Sequence, residues 1–310
     1  MKRNSKQMMK RLIFNIFKKG QQVGLNILPS HYYSSVANVN ELEKTVKFWQ
    51  KKSELIGLSA ELPKQIENLK NICTPYESEY ADNKIYLEGM NGHFGPGFGY
   101  IEAQALHAVI RHHKPKMIIE VGSGVSTYCS LKAAELNEVP AKVICIEPYP
   151  SETLKANKDI ELIEKKVQEV PFDFFQQLKE NDLLFIDSSH TVKTGGDVNY
   201  LILEILPRLN KGVIVHFHDI YLPYDYQRDI LKNFFQWSET TLLRAFLTFN
   251  SKFSIIFCFS MLHYSAKDEL KRLFSHYEPQ DDFVGLQNPA LKPFETDNKH
   301  FPCSLYLLVQ

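Results

Sequence analysis

The sequence feature that most constrains the fold is a series of short apolar runs that alternate with helical patterns after residue 100. The runs are MIIEVG (117–122), KVICIE (142–147), IELIEK (160–165), LLFID (183–187) and GVIVHFHD (212–219). The helical patterns between them lie near 126–136, 151–157, 172–180 and 197–209. Continuous apolar runs predict strands that are buried on both faces. Their alternation with helices predicts right-handed strand–helix–strand units in an open parallel sheet.

Further elements flank this pattern on both sides. IEAQALHAVIRHH, from residue 101, has helical spacing and stops before Pro115. Another helix is predicted near 239–248, and the strand-like runs FSIIFCF and SLYLLV follow it. We expect all of these elements to belong to one main domain at residues 91–310.

Residues 1–90 are predicted to form a mainly helical N-terminal extension. Leu42, Val46, Trp49 and Leu55 have the spacing of one helix face. NGHFGPGFGY, at 91–100, holds four of the 14 glycines and a proline, which is typical of a loop. We therefore expect the boundary between the extension and the main domain at this loop.

Charge is balanced over the whole chain but not along it. Lys and Arg number 36 and Asp and Glu also number 36, and this balance argues against nucleic acid as the main partner. Residues 1–20 carry seven Lys or Arg and no acid, and the first acid is Glu41. A basic amphipathic helix in peripheral contact with an anionic membrane fits this segment. A solvated basic tail, or a helix docked on its own domain, is the alternative.

The cysteines and the short N-terminal apolar run indicate the compartment. The five cysteines are odd in number and have no C-x-x-C spacing, which argues against a disulfide framework or a zinc finger. The run LIFNIF is too short for a membrane span or for the apolar part of a signal peptide. A reducing compartment is the simplest interpretation, so we expect a cytoplasmic protein, with the inner membrane face as the alternative location for its basic segment.

Four predicted parallel strands end in an acid: Glu120, Glu147, Asp187 and Asp219. In open parallel sheets, ligands bind outside the carboxyl ends of the strands. Four carboxylates at one edge would repel one another, so packing alone gives little reason for them. The pattern predicts that something cationic binds there.

EVGSGVS, at 120–126, follows the first strand and opens a helix, so Gly122 and Gly124 permit a tight turn close to a ligand. Glu147 lies 23 residues after Gly124, a spacing that suits a ribose diol. A dinucleotide would place its pyrophosphate at this helix N-terminus, where Glu120 would repel it. S-adenosylmethionine has no phosphate and carries an ammonium and a sulfonium, so the charges favour it.

The segments IIEVGSGVST, CIEPYP, LLFIDSSHTVKTGGDVNYLILEILPRL and GVIVHFHDIYLPYDY resemble class I S-adenosylmethionine-dependent methyltransferases. More narrowly, they are similar to a bacterial group of small-molecule and glycan methyltransferases. The resemblance covers about residues 90–260 and the closing strand. It implies an α/β fold with a Rossmann-like seven-stranded sheet, helices on both faces and an antiparallel last strand.

The resemblance also implies the residues that contact the cofactor. Those expected to line its methionine part are Glu120, Gly122, Ser123 and Gly124. Glu147 is expected to bind the ribose hydroxyls and Gln168 the adenine. Ser126 stands where most methyltransferases have the third glycine of this loop, and we include it in the predicted cofactor site.

The residues that follow the fourth and fifth predicted strands, where the reaction is expected, are similar to those of metal-dependent O-methyltransferases, including enzymes that act on sugar hydroxyls. This similarity implies that Asp187 and Asp219 are metal ligands and that His190 is the general base. His218 stands where those enzymes have an acidic or amide residue. Histidine is a poor ligand for Mg²⁺ and suits Mn, Fe or Zn better. Three interpretations stay open: a metal other than Mg²⁺, a Mg²⁺ site without His218, or no metal and histidines that act as bases alone.

The remaining assignments concern residues near this end. His216 shares a strand side with His218 and is interpreted as a core residue. Tyr221 and Tyr224 are candidate substrate contacts. We expect O-methylation of a hydroxyl on a sugar, a glycan or a small metabolite. The alternatives are a non-haem iron oxygenase with a His/His/Asp site, or a cofactor-binding scaffold without catalytic activity.

Overall fold

The computed structural model describes residues 2–95 and 97–310. Met1, in the predicted basic segment, and Pro96, in the predicted glycine-rich loop, lie outside the described residues. The chain divides into two compact units, Met1–Trp49 and Gln50–Gln310. Helices between residues 62 and 91 pack into the core of the larger unit, and the domain division after residue 90 stays a prediction.

The smaller unit contains two helices, α1 (Lys2–Gln22) and α2 (Val39–Trp49). Both lie where a helical extension was predicted. The spacing that grouped Leu55 with the face of α2 was wrong, because α2 ends at Trp49. Leu55 has a positive φ of 53°, outside helical geometry, and is buried in the larger unit.

The larger unit is built on a seven-stranded sheet in the order β3-β2-β1-β4-β5-β7-β6. Its strands are β1 (Met117–Val121), β2 (Lys142–Ile146), β3 (Ile160–Ile163), β4 (Leu183–Ile186), β5 (Ile214–Phe217), β6 (Phe253–Cys258) and β7 (Leu305–Val309). β1 to β5 are parallel, and β7 lies antiparallel between β5 and β6. The seven predicted strands and the antiparallel last strand are confirmed.

Helices connect these strands and cover them. They are α3 (Leu62–Cys73), α4 (Glu77–Tyr80), α5 (Lys84–Asn91), α6 (Tyr100–His113), α7 (Val125–Glu135), α8 (Glu152–Ala156), α9 (Phe172–Phe175), α10 (Asp197–Tyr200), α11 (Glu239–Leu247), α12 (Phe259–Ser265) and α13 (Lys267–Leu273). α9 is shorter than the helix predicted at 172–180. The helix predicted at 197–209 is α-helical only as far as Tyr200. It continues as a short π-helix and ends in a 3₁₀-helical turn that contains Pro207, which lacks an N–H.

Apolar clusters pack on both faces of the sheet. Consecutive residues of β1 point to opposite sides: Ile118 belongs to the apolar cluster that includes residues of α6 and α7, whereas Ile119 belongs to the cluster that includes residues of α10 and α11. Burying such a side chain completely contributes about 1.5–3 kcal/mol. The α/β fold with helices on both faces is therefore confirmed, and it explains why the strand sequences are continuously apolar.

All five cysteines are free and buried. Within residues 2–95 and 97–310, no helix is long and apolar enough to span a membrane.

Candidate active site

Three adjacent strands end in register at the carboxyl edge of the sheet. Val121 of β1 pairs with Ile186 of β4, which in turn pairs with Phe217 of β5. The residues that follow them therefore start the loops side by side. The amide of Asp187 donates to the carbonyl of Val121 at 2.9 Å, and the amide of His218 donates to that of Ile186 at 2.9 Å.

A cleft of about 480 Å³ opens at this edge. Four of the predicted site residues line it: Gly122, Glu147, Gln168 and Asp187. This volume is within the usual range for sites that bind small molecules and cofactors, about 300–1,000 Å³.

Gly122 keeps the β1 loop against the β4 loop. Its φ is +81°, and a Cβ at this position would collide with the carbonyl oxygen of Asp187. Only glycine combines this conformation with this close approach. The predicted tight turn is therefore present, and it forms part of the wall of the cleft.

Glu120 is completely buried and lies outside the residues that line the cleft. Its carboxylate accepts hydrogen bonds from the hydroxyls of Thr127, at 2.6 Å, and Ser130, at 2.8 Å. Burial raises the pKa of Glu120 to about 7, against the effect of these two hydrogen bonds. The carboxylate thus fastens β1 to α7, and its predicted direct contact with the cofactor stays a prediction.

The other predicted residues of the β1 loop differ in exposure. Ser126 is buried in the first turn of α7, outside the cleft lining. The amide of Gly124 donates to the Thr127 hydroxyl at 3.2 Å. The Ser123 hydroxyl is buried and has no hydrogen-bond partner in the described part of the chain. Ser123 and Gly124, like Ser126, lie outside the cleft lining, and their predicted contacts with the cofactor stay predictions.

Glu147 and Gln168 lie on the wall of the cleft beyond the end of β2 and β3. The Glu147 carboxylate accepts from the amide of Tyr149 at 2.8 Å, and Gln168 Nε2 donates to the carbonyl of Gly195 at 3.1 Å. Both side chains are available for the predicted ribose and adenine contacts, which stay predictions.

At the ends of β4 and β5, two aspartates and two histidines converge. His190 Nε2 lies 3.2 Å from Asp187 Oδ1 and 3.4 Å from Asp219 Oδ2. His218 Nδ1 lies 3.5 Å from Asp187 Oδ1 and 3.4 Å from Asp219 Oδ2. One ligand atom each from Asp187, His218 and Asp219 can be chosen so that all three lie within 4.8 Å of one another. We call these four residues the His–Asp cluster. They include the three predicted metal ligands and the predicted base.

A buried glutamate holds the outer nitrogen of each histidine in the His–Asp cluster. His190 Nδ1 lies 2.8 Å from Glu239 Oε2, and His218 Nε2 lies 3.2 Å from Glu102 Oε2. The other oxygen of Glu102 accepts from the amide of Cys303, at 3.0 Å, and from the Ser304 hydroxyl, at 2.6 Å. These contacts fix both imidazole rings so that their remaining nitrogens face the aspartates.

The carboxylates set the protonation of both rings. Burial lowers the pKa of His190, but its hydrogen bonds to Asp187 and Glu239 outweigh this and raise the pKa to about 10. Burial also disfavours the charged form of His218, but the neighbouring carboxylates raise its pKa well above the ordinary value. In return, the two histidines lower the pKa of Asp187 and of Asp219 despite burial. The carboxylates outnumber the imidazoles, so the site favours a further cation.

Comparison with known proteins identifies the family. A family model described as a methyltransferase domain matches residues 119–220, which run from within β1 to just past β5 and include the His–Asp cluster. An uncharacterized protein of Archaeoglobus fulgidus is 31% identical over 179 residues, which cover 52% of this chain and 77% of that protein. The chain belongs to this methyltransferase family. It is an S-adenosylmethionine-dependent enzyme. The family match therefore favours methyl transfer over the two alternatives, a non-haem iron oxygenase and an inactive scaffold.

Solved structures with some similarity to this methyltransferase include O-methyltransferases. TomG of Streptomyces achromogenes, which is involved in tomaymycin synthesis and was solved with S-adenosylmethionine, is 14% identical with a TM-score of 0.41. The match covers 61% of this chain and 89% of TomG. An O-methyltransferase of Bacillus cereus, solved with S-adenosylhomocysteine, is 13% identical with a TM-score of 0.35 and covers 61% and 90% of the two chains. These scores are too low to support a functional inference.

His216 lies in the core of the methyltransferase, as predicted. Its ring is fully buried and stacks on Tyr306, with centroids 4.1 Å apart. Neither ring nitrogen has a hydrogen-bond partner among the described residues. Burial lowers the pKa of His216 well below the ordinary value, so the ring is neutral.

Tyr221 and Tyr224, the predicted substrate contacts, are both buried. The Tyr221 hydroxyl donates to Asp219 Oδ1 at 3.2 Å. The Tyr224 ring packs against that of Tyr264, with centroids 5.0 Å apart. Neither tyrosine lines the cleft described above. Their predicted contact with substrate stays a prediction, and in this arrangement Tyr221 orients Asp219.

Glu102 and Glu239 are functional residues that the sequence alone did not reveal. Glu102 lies on the buried face of α6, and Glu239 is the first residue of α11, where an acid is ordinarily interpreted as a partner of the helix dipole. The one available signal was a carboxylate inside the apolar pattern of α6. The Trp237 ring, whose centroid is 4.5 Å from that of His190, was also missed.

Proposed function

We propose that this methyltransferase transfers the methyl group of S-adenosylmethionine to a hydroxyl oxygen of a sugar, a glycan or a small metabolite, with a divalent metal held by Asp187, His218 and Asp219. The observation that carries the proposal is the His–Asp cluster, which adjoins the cleft through Asp187. A hydroxyl is a weak nucleophile near neutral pH, and it needs a base or a metal to lose its proton.

The residues of the His–Asp cluster fit a divalent metal. His218 Nδ1 is buried, faces two carboxylates and makes no hydrogen bond within the described part of the chain. Its other nitrogen contacts Glu102, and a carboxylate in this position commonly orients a metal-binding histidine. The mixed nitrogen and oxygen donors favour Mn, Fe or Zn over Mg²⁺. A bound metal would lower the pKa of a coordinated hydroxyl.

His190 is the proposed general base. Its Nε2 faces the two aspartates while Glu239 contacts Nδ1. With a pKa of about 10, the ring holds a proton in this arrangement. A cation beside Asp187 and Asp219 competes with that proton for the same oxygens, which favours the neutral ring. Neutral His190 then accepts the acceptor hydroxyl proton as the oxygen bonds the methyl carbon and the sulfonium becomes a neutral thioether.

The cleft supports the assignment of the cofactor. Asp187 at its edge attracts the sulfonium, and Glu147 offers a carboxylate to the ribose hydroxyls. Sugar or small-metabolite acceptors rest on the sequence resemblance described above.

The test is a transfer assay with methyl-labelled S-adenosylmethionine and a panel of sugars, glycans and phenols. We expect label on an acceptor oxygen, a rate that falls after treatment with a chelator, and recovery with Mn²⁺, Fe²⁺ or Zn²⁺ above that with Mg²⁺. Metal analysis of the purified enzyme gives an independent readout. Transfer that is unaffected by the chelator, from protein shown to be free of metal, would contradict the metal assignment.

A further inference from the structure

The smaller unit buries almost none of its apolar surface. Among residues 6–49, Gly20 is the only buried residue. The exposed large apolar side chains are Met8, Met9, Leu12, Ile13, Phe14, Ile16, Val23, Leu25, Ile27, Leu28, Tyr32, Tyr33, Val36 and Phe48. Large exposed apolar patches of this kind mark interaction sites.

α1 arranges part of this surface as a stripe. Met9, Leu12, Ile13 and Ile16 have the i, i+3, i+4, i+7 spacing of one helix face. We call these four residues the apolar stripe. Between 37% and 57% of each side chain is exposed. The helix is amphipathic, but it is not apolar enough to span a membrane.

The charges of the same segment are all of one sign. The basic residues whose side chains are described are Lys6, Lys10, Arg11, Lys18 and Lys19, and none has an ion-pair partner within the part of the chain that the structure describes. No acid precedes Glu41. On a helical projection, Lys10, Arg11 and Lys18 point away from the apolar stripe. An anionic partner is therefore favoured, and a second copy of this segment would bring like charges together.

We infer that α1 and the exposed residues that follow it bind the surface of an anionic lipid bilayer. The apolar stripe enters the acyl boundary and the basic residues contact lipid phosphates. Tyr32 and Tyr33, exposed by 92% and 85%, suit the headgroup region, where tyrosines are enriched. The helix lies in the plane of the bilayer. This inference is independent of the proposed reaction, because it uses no residue of the His–Asp cluster.

The experiment is flotation of the full chain with vesicles of phosphatidylcholine alone and of phosphatidylcholine with phosphatidylglycerol. We expect binding to the anionic vesicles that weakens about tenfold or more between about 0.1 M and about 1 M salt, because the higher salt shortens the Debye length and screens the attraction between the basic residues and the lipids. The double variant Leu12→Ser, Ile16→Ser should also lose about tenfold, because it removes half of the apolar stripe.

Phe14→Ser is the matched control, because Phe14 is 60% exposed but lies off the apolar stripe. We expect this variant to bind anionic vesicles within about twofold of the unmodified chain. Affinity for S-adenosylmethionine should be unchanged in all variants, which shows that they are folded. No binding to anionic vesicles, equal binding to both vesicle types, or dimerisation in the absence of lipid that the double variant abolishes would each overturn the inference.

Discussion

Glu102 Oε2 lies 3.2 Å from His218 Nε2, although the two residues are 116 positions apart in the chain. The first is on α6 and the second follows β5, so this contact links a helix that covers the sheet to the carboxyl edge where the His–Asp cluster lies. It fixes the His218 ring with Nδ1 facing Asp187 and Asp219. The proposed metal site depends on this orientation.

Glu102→Gln should therefore weaken metal binding by about 10–100-fold, the usual effect of removing a carboxylate that orients a histidine ligand. Titration of the metal-free protein with Mn²⁺ and Zn²⁺ by calorimetry measures this directly. Glu135→Gln, at a half-exposed glutamate of α7 remote from the edge, is the matched control. Equal metal affinity in both variants would show that Glu102 does not support the site.

Glu120 should make the free energy of unfolding fall as pH rises between about 4.5 and 7. Its folded pKa, about 7, exceeds the unfolded value of 4.5, so the native state holds a proton that the unfolded state releases in this window. The shift corresponds to about 3 kcal/mol above pH 7. In urea unfolding, the free energy of unfolding of Glu120→Gln minus that of the wild type should increase by about this much as pH rises from about 4.5 to about 8. A difference that is constant with pH would contradict the assignment.

Gly122→Ala should weaken cofactor binding about tenfold or more, because the new methyl group would push the β1 loop away from Asp187. Gly195→Ala is the control: Gly195 also lines the cleft and has a positive φ of 69°, but no atom lies within 4 Å of the added Cβ. Both variants share the backbone strain of about 1–2 kcal/mol. Calorimetric titration with S-adenosylmethionine separates strain from collision, and equal losses would contradict the packing argument.

The two histidines of HFHD should respond in opposite ways to substitution by leucine. His216→Leu removes two buried nitrogens without partners and should raise the free energy of unfolding by about 1 kcal/mol. It should leave metal affinity unchanged. His218→Leu leaves Glu102 without its imidazole partner, so it should lower stability and abolish metal binding. Chemical unfolding and metal titration of both variants check this, and a loss of metal binding in His216→Leu would be inconsistent with its place in the core.

The strands and the aspartates that follow them were predictable because a buried parallel strand has a local signature, and successive strand ends meet at one edge. That is why Asp187, His218 and Asp219 could be grouped before their distances were known. Glu102 and Glu239 could not be assigned, because their contacts depend on where α6 and α11 pack on the sheet. Glu120 was predicted to end its strand, but it lies one residue inside β1, and its hydrogen bonds with Thr127 and Ser130 depend on where α7 packs, which a strand pattern does not reveal.

Comparison of His190→Ala with the wild type tests whether the enzyme transfers the methyl group to oxygen with His190 as the base. The measurement is the rate of label transfer from methyl-labelled S-adenosylmethionine to the best acceptor of the panel, with cofactor affinity measured in parallel. We predict a rate about 10²–10⁴-fold lower, the usual contribution of a general base, with cofactor affinity within about threefold of the wild type. Transfer at the wild-type rate by His190→Ala, or folded wild-type protein that does not bind S-adenosylmethionine, would contradict the proposed mechanism.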